Sequence, residues 1–245
     1  MDSPYYQIAE SAASHRPWRV LVLLELNRLL VDFDSEAKPK TNLSWATPIE
    51  LSEGYRMYIR PGAEDFVRCL LEATRKECTL GIFTGISLTI AVPMVVNLFK
   101  KSGNGWNWKA DMSHLSQPSV ISETVGICVY IFPRTQHKEA DVLSLDGRLV
   151  YEQESRALQA DFEKVWSYIN NIEDHHFHQH NTVLIASQFE RMLCSENVLC
   201  LCWWQFWEDG NYMKEMRNAM ARLFHSKPDR IKDWLRPDNI QYHTI

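Results

Sequence analysis

The sequence lacks most features that would give a chain away. No stretch approaches the ~20 consecutive apolar residues that a membrane-spanning helix needs, and the longest runs, such as Val20 to Leu24, are far shorter. The opening MDSPYYQIAE carries Asp2 and Glu10 and no basic region followed by an apolar one, so neither a secretory signal nor an Arg-rich transit peptide is expected. The expectation is an intracellular protein, cytoplasmic or nuclear, with a mitochondrial location left open and no membrane partner. Basic residues are in deficit, 26 Lys plus Arg against 31 Asp plus Glu, for a formal net charge of −5. That balance disfavours a broad grip on a phosphate backbone, so nucleic acid is expected only as an indirect partner. The six cysteines, Cys69, Cys78, Cys128, Cys194, Cys200 and Cys202, include no CxxC pair and are too sparse for a disulfide scaffold. Cys200 and Cys202 share one face of a strand, but with no matching ligand pair they read as buried thiols. There is no internal repeat and no Gly/Ser-rich linker.

What is present is an alternation of apolar strands and amphipathic helices in a chain that is 45% hydrophobic, enough for one sizeable core. RVLVLLEL, CTLGIFTG and NTVLIAS are short β-branched and Leu-rich runs without polar alternation, the pattern of strands buried on both faces. EGYRMYIRPG reads as a strand ending at Pro61 and Gly62, followed by a helix over AEDFVRCLLEATRKE with acids in its first turn and bases in its last. LTIAVPMVVNLFKK reads as a helix bent or restarted near Pro93, GNGWNW as a break, and ETVGICVYIF as a strand. KEADVLSLDGRLVYEQE suggests a hairpin turning at Asp146 and Gly147, and LQADFEKVWSYIN a helix burying Phe162, Val165, Trp166 and Ile169. ERMLC suggests a short helix, NVLCLCWW a strand, and NYMKEMRNAMARLF a helix with Met213, Met216, Met220 and Leu223 on its core stripe. Strand, crossover helix, strand, repeated, predicts an α/β three-layer sandwich around a mostly parallel sheet. Residues 19–245 are read as one domain behind an N-terminal extension, 1–18.

Chemistry in such a sheet gathers outside the carboxyl ends of its strands. Three of those ends read Glu25-Leu26-Asn27, Thr84-Gly85 and Ala186-Ser187. Their order, with VLVLLELNRLLV, YIRPGAEDFVRCLLEA, LGIFTGIS, LQADFEKVW and NTVLIASQFERML, resembles the C-terminal-domain phosphatase (NLI-interacting-factor-like) branch of the haloacid dehalogenase superfamily, over about Arg19 to Trp204. The resemblance implies a HAD-like fold and a magnesium-dependent phosphatase ancestry. It also implies that the catalytic motifs are degenerate.

The family's nucleophilic Asp falls on Glu25, whose extra methylene displaces the carboxylate by roughly an ångström, a misplacement that can reduce rate on the order of a hundredfold. Its general acid/base Asp falls on Asn27, whose amide exchanges no proton near neutral pH. Thr84 matches the phosphate-binding hydroxyl, while the charge-balancing Lys aligns with Ala160, one helical turn before Lys164. The paired metal-binding acids fall on Ala186 and Ser187, leaving Glu25 alone as a poor magnesium site. A rescue by Asp32, Asp34 or Glu190 requires a rearranged pocket. The expectation is therefore no catalytic residue, no metal and no cofactor, with magnesium required only if the site works after all.

The leading reading is a catalytically inactive pseudophosphatase acting as a protein-binding or scaffold domain, with a phosphopeptide held through Thr84 as a narrower version. A precedent within the resemblance is a mitochondrial inner-membrane translocase receptor subunit that acts by binding. Two alternatives stand beside it: an active magnesium-dependent Ser/Thr phosphatase with an atypical site, and a structural subunit of a larger assembly, a ribonucleoprotein included. Trp106 and Trp108 in GNGWNWK, and Trp203, Trp204 and Trp207, are the candidate partner-binding residues, because Trp is favoured at interface hot spots; packing into the core is the other role open to them. In EDHHFHQH, His175, His176, His178 and His180 could capture zinc or nickel, but no second cluster stands at ligand spacing, so an exposed, pH-sensitive loop is expected. Ser187 lies near these histidines without the GxSxG turn that would lift a nucleophilic hydroxyl above the sheet.

Overall fold

The computed structural model describes residues 18–27, 29–35, 47–51, 54–74, 76–84, 86–102, 107–110, 119–123, 127–133, 164–186, 198–200 and 211–235. Its centre is a seven-stranded sheet in the order β10-β9-β1-β5-β8-β7-β6, made of β1 (Val20–Glu25), β5 (Cys78–Thr84), β6 (Trp108–Ala110), β7 (Ser119–Glu123), β8 (Cys128–Pro133), β9 (Thr182–Ala186) and β10 (Val198–Cys200). The five strands from β10 to β8 are parallel. β7 and β6 continue the sheet antiparallel.

The apolar runs explain why both faces are covered. Along β1, Val20, Val22 and Leu24 enter a core with α1 (Ala63–Ala73), α2 (Leu88–Ser102) and α4 (Asn211–Ser226). Leu21 and Leu23 point the other way, into a smaller core with Val165 and Ile169 of α3 (residues 164–169) and with Phe177. Alternate Cβ atoms leave a strand on opposite faces, so a run without polar residues needs cover on both. Helix, sheet, helix is the three-layer α/β arrangement expected from the sequence. Met213, Met216, Met220 and Leu223 of α4 are buried as their spacing predicts.

Local chemistry sets the helix ends. Gly62 sits in the left-handed region at φ 78° immediately before α1, where a Cβ would be strained. Glu64 and Asp65 occupy the first turn, but the expected bases fall outside the last, because the helix stops at Ala73 and the Thr74 hydroxyl donates to Leu71 O at 2.6 Å. α2 runs unbroken through Pro93. Asn97 Nδ2 donates to Pro93 O at 2.9 Å one turn on.

A second, three-stranded antiparallel sheet, β2-β4-β3, lies between β1 and α1 in the chain, from β2 (Val31–Ser35), β3 (Ile49–Glu50) and β4 (Tyr55–Ile59). ETVGICVYIF is not one strand: it spans the end of β7 and most of its antiparallel partner β8. Within GNGWNW, Trp108 begins β6. Trp18, the last residue of the supposed extension, donates its Nε1–H to Pro228 O at 3.0 Å and stands edge-on to Phe224 of α4. The hairpin at Asp146 and Gly147 and the helix over ERMLC lie outside the described residues. Among the described residues, no helix is long and apolar enough to cross a membrane.

Candidate functional site

From β1 the chain moves to β5 and β8 on one side, then returns to β9 and β10 on the other. That reversal beside β1 is the position where an open parallel sheet forms its crevice, outside the carboxyl ends. The register brings the expected residues to this edge: Leu24 lies opposite Ile82 and Ile185, Glu25 opposite Phe83, and Ala186 ends β9. Glu25, Asn27, Thr84 and Ala186 are thus placed at neighbouring strand ends. Ala160 and Ser187 lie outside the described residues.

The chemistry of this edge is sparse. Glu25 is half-buried and supplies a carboxylate. Asn27 forms a bridge to Val31, and its buried Oδ1 accepts no hydrogen bond among the described residues. Thr84 is 1% exposed, and its Oγ1 accepts the Ile86 N–H at 3.1 Å in the turn that leads into α2. The oxygen of that hydroxyl thus supports the turn as an acceptor. Ala186 contributes a methyl group to the smaller core.

Two of the acids named for a rescue, Asp32 and Asp34, are paired with basic side chains. Asp32 and Asp34 lie on one face of β2, and both are buried. Asp32 receives Arg60 Nη2 at 2.5 Å, with the Arg60 side chain 1% exposed. Asp34 takes a fork from Arg56, at 2.9 and 3.0 Å, and the Tyr58 hydroxyl at 3.2 Å. Burial, then the Asp34 charge, pushes the Tyr58 phenol up, so it remains a donor. The hydrogen bond to Asp34 raises the Arg56 guanidinium further above its ordinary value. These cross-strand pairs hold the second sheet together. Glu190 lies outside the described residues. Among the described residues, no group of three or more His, Cys, Asp or Glu side chains is arranged to hold a metal ion.

Trp108 is 5% exposed, and its ring packs on Phe99 of α2 with centroids 4.9 Å apart. Of the two roles open to it from the sequence, packing into the core is the one these contacts describe. Trp106, Trp203, Trp204 and Trp207 lie outside the described residues. His175, His176, His178 and His180 occupy the loop that enters β9 from α3, at the amino end of that strand and hence at the opposite edge of the sheet from Glu25. Sequence reasoning missed Arg56, Tyr58 and Arg60 as the partners of the β2 acids. The signal was available as two basic residues and a tyrosine alternating along YRMYIR.

No protein-family model matches the chain, and no curated protein matches it significantly. Solved structures similar to it include the fission yeast RNA polymerase II CTD phosphatase Fcp1, as a point variant bound to beryllium fluoride, and a second structure of Fcp1, described as an essential RNA polymerase II CTD phosphatase. Each is 12% identical with a TM-score of 0.39; the matches cover 91% of this chain and 56% and 54% of the neighbours. The chain therefore spans little more than half of each. A likeness at that identity and score assigns neither activity nor substrate.

Proposed function

We propose that this chain is a catalytically silent phosphatase-like domain of haloacid dehalogenase type that works by binding a protein partner. The observation that carries the reading is the carboxyl edge of the sheet. Among the described residues, the three strand ends bring one carboxylate, Glu25, together with an amide, a buried hydroxyl and a methyl group. Phosphoryl transfer needs a placed nucleophile, a proton carrier and a cation facing the developing charge. The Asn27 amide exchanges no proton near neutral pH, the Thr84 hydroxyl is buried and accepts the Ile86 N–H of its own turn, and Asp32 and Asp34 are paired with Arg60 and Arg56. The same burial of Thr84 favours an unphosphorylated protein partner over a phosphopeptide. No cofactor is assigned.

The surviving carboxylate of Glu25 is the feature that favours an active enzyme with an atypical site. An assay of the purified chain with p-nitrophenyl phosphate and magnesium, beside Glu25→Gln, separates the two readings. The expected result is hydrolysis at the no-protein rate for both proteins. Turnover that disappears in Glu25→Gln overturns the proposal.

A further inference from the structure

We propose that residues 175–181 form an acid-sensitive clasp in which His178, by taking up a proton, breaks its bond to His180 and loosens α3 and α5 (Ile231–Trp234) from the entry to β9. The loop is a junction. Asn170, just past α3, grips the Phe177 backbone at both ends: its Nδ2 donates to Phe177 O at 2.8 Å, and its Oδ1 accepts Phe177 N–H at 2.7 Å. Asn181 O accepts the Leu21 N–H of β1, and His180 O accepts the Ile231 N–H of α5, both at 2.8 Å. Thr182 donates its hydroxyl to His178 O at 2.8 Å and accepts Trp166 Nε1–H of α3 at 2.9 Å. Three layers of the fold thus meet on a few backbone groups.

His178 is the titratable part of this junction. Its Nδ1 accepts the His180 N–H at 3.1 Å, which requires the neutral ring with its proton on Nε2. A solvent proton on Nδ1 turns that acceptor into a donor facing another donor, and the bond is lost. The added charge lies among other imidazoles: the His178 ring is 5.9 Å from His176 and 5.4 Å from His180. Desolvation, followed by the influence of His180, His176 and His175, already holds its pKa below the ordinary histidine value. Among the described side chains, the other charged groups on α3, the loop and the approach and body of α5 are Lys164, Glu173, Asp174, Asp229, Arg230 and Asp233. Glu173 receives the Tyr130 hydroxyl at 2.6 Å, and Arg230 stands 3.8 Å from Asp233.

The sign follows from linkage. A histidine whose folded pKa lies below its unfolded value stabilises the closed loop fully above about pH 6.5, and that contribution declines as pH falls toward the folded pKa. In this window the closed-to-open ratio falls by up to ~tenfold per pH unit.

Hydrogen exchange of the full chain, corrected for intrinsic rates and followed from pH 7.5 to 5.5, tests the clasp. Protection of residues 176–182 and of the Leu21 and Ile231 amides should fall together while β5 and the rest of β1 keep theirs. In His178→Asn, whose Oδ1 can replace Nδ1 as acceptor without titrating, that pH dependence should vanish. An unchanged dependence in this variant, or no selective loss in the natural chain, overturns the proposal. The ring's nitrogen shifts give a check that does not depend on the variant: an Nε2–H tautomer at pH 7.5 supports the clasp, and an Nδ1–H tautomer overturns it.

Discussion

Asp32→Asn is expected to destabilise the chain by about 3 kcal/mol, near the lower end of what is seen when one partner of a buried ion pair is removed. Arg60, with its side chain 1% exposed, would lose the carboxylate that stands 2.5 Å from Nη2. For a domain of this size, that loss lowers Tm by about 6–12 °C. The control is the double variant Asp32→Asn with Arg60→Met, in which the buried cation is also removed. It should recover part of the loss, because removing the second charge leaves no unpaired buried ion behind. A single variant within 1 °C of the natural chain would mean that Asp32 does not balance Arg60, and would reopen Asp32 as an acid available to the crevice.

The second large effect is expected at Gly81, in the middle of β5. A Cβ there would sit 2.6 Å from Leu23 Cδ2 and 2.9 Å from Phe132 Cε2, inside the distances real contacts adopt. Both neighbours are buried in the smaller core, beneath α3, so neither can swing into solvent. Gly81→Ala should therefore cost about 1–3 kcal/mol through overpacking, despite the better strand propensity of alanine. Leu23→Ala in the same chain should offset part of the overpacking, giving a double variant more stable than the two single effects added together. Thermal or denaturant unfolding of the four proteins measures this directly, and additive losses would contradict the packing.

How much of this was readable beforehand depends on what each residue faces. β1, β5 and β9 were legible because unbroken apolar runs have no other stable place than a sheet covered on both sides. The stripes of α1 and α4 were legible for the same reason. The second sheet was not, because in VDFDS the usual sense of burial is inverted: Asp32 and Asp34 are buried while Phe33 is only partly so. Alternation read by hydrophobicity misses such a strand, since its buried face is polar and is satisfied by Arg56, Tyr58 and Arg60 from a strand more than twenty residues away. The β7–β8 pair was hidden because a run of apolar residues does not show where the chain reverses. At the crevice, the sequence named Glu25, Asn27, Thr84 and Ala186 and the strand ends that carry them. It could not show that the Thr84 hydroxyl turns back to Ile86, which is a matter of backbone path.

One consequence concerns the division of the molecule. The crevice and the histidine loop lie at opposite ends of β9, so a partner at the first need not compete with a proton at the second. The β2 acids are each paired with an arginine.

On the proposed reading, the carboxyl edge of the sheet does not gather the negative oxygens that hold a divalent ion. Titration of the full chain with Mn²⁺, an oxygen-seeking stand-in for Mg²⁺, followed by electron paramagnetic resonance, tests it most directly. The natural chain and Glu25→Gln should show the same weak, non-saturating uptake. A saturable site present in the natural chain and absent from Glu25→Gln would contradict it.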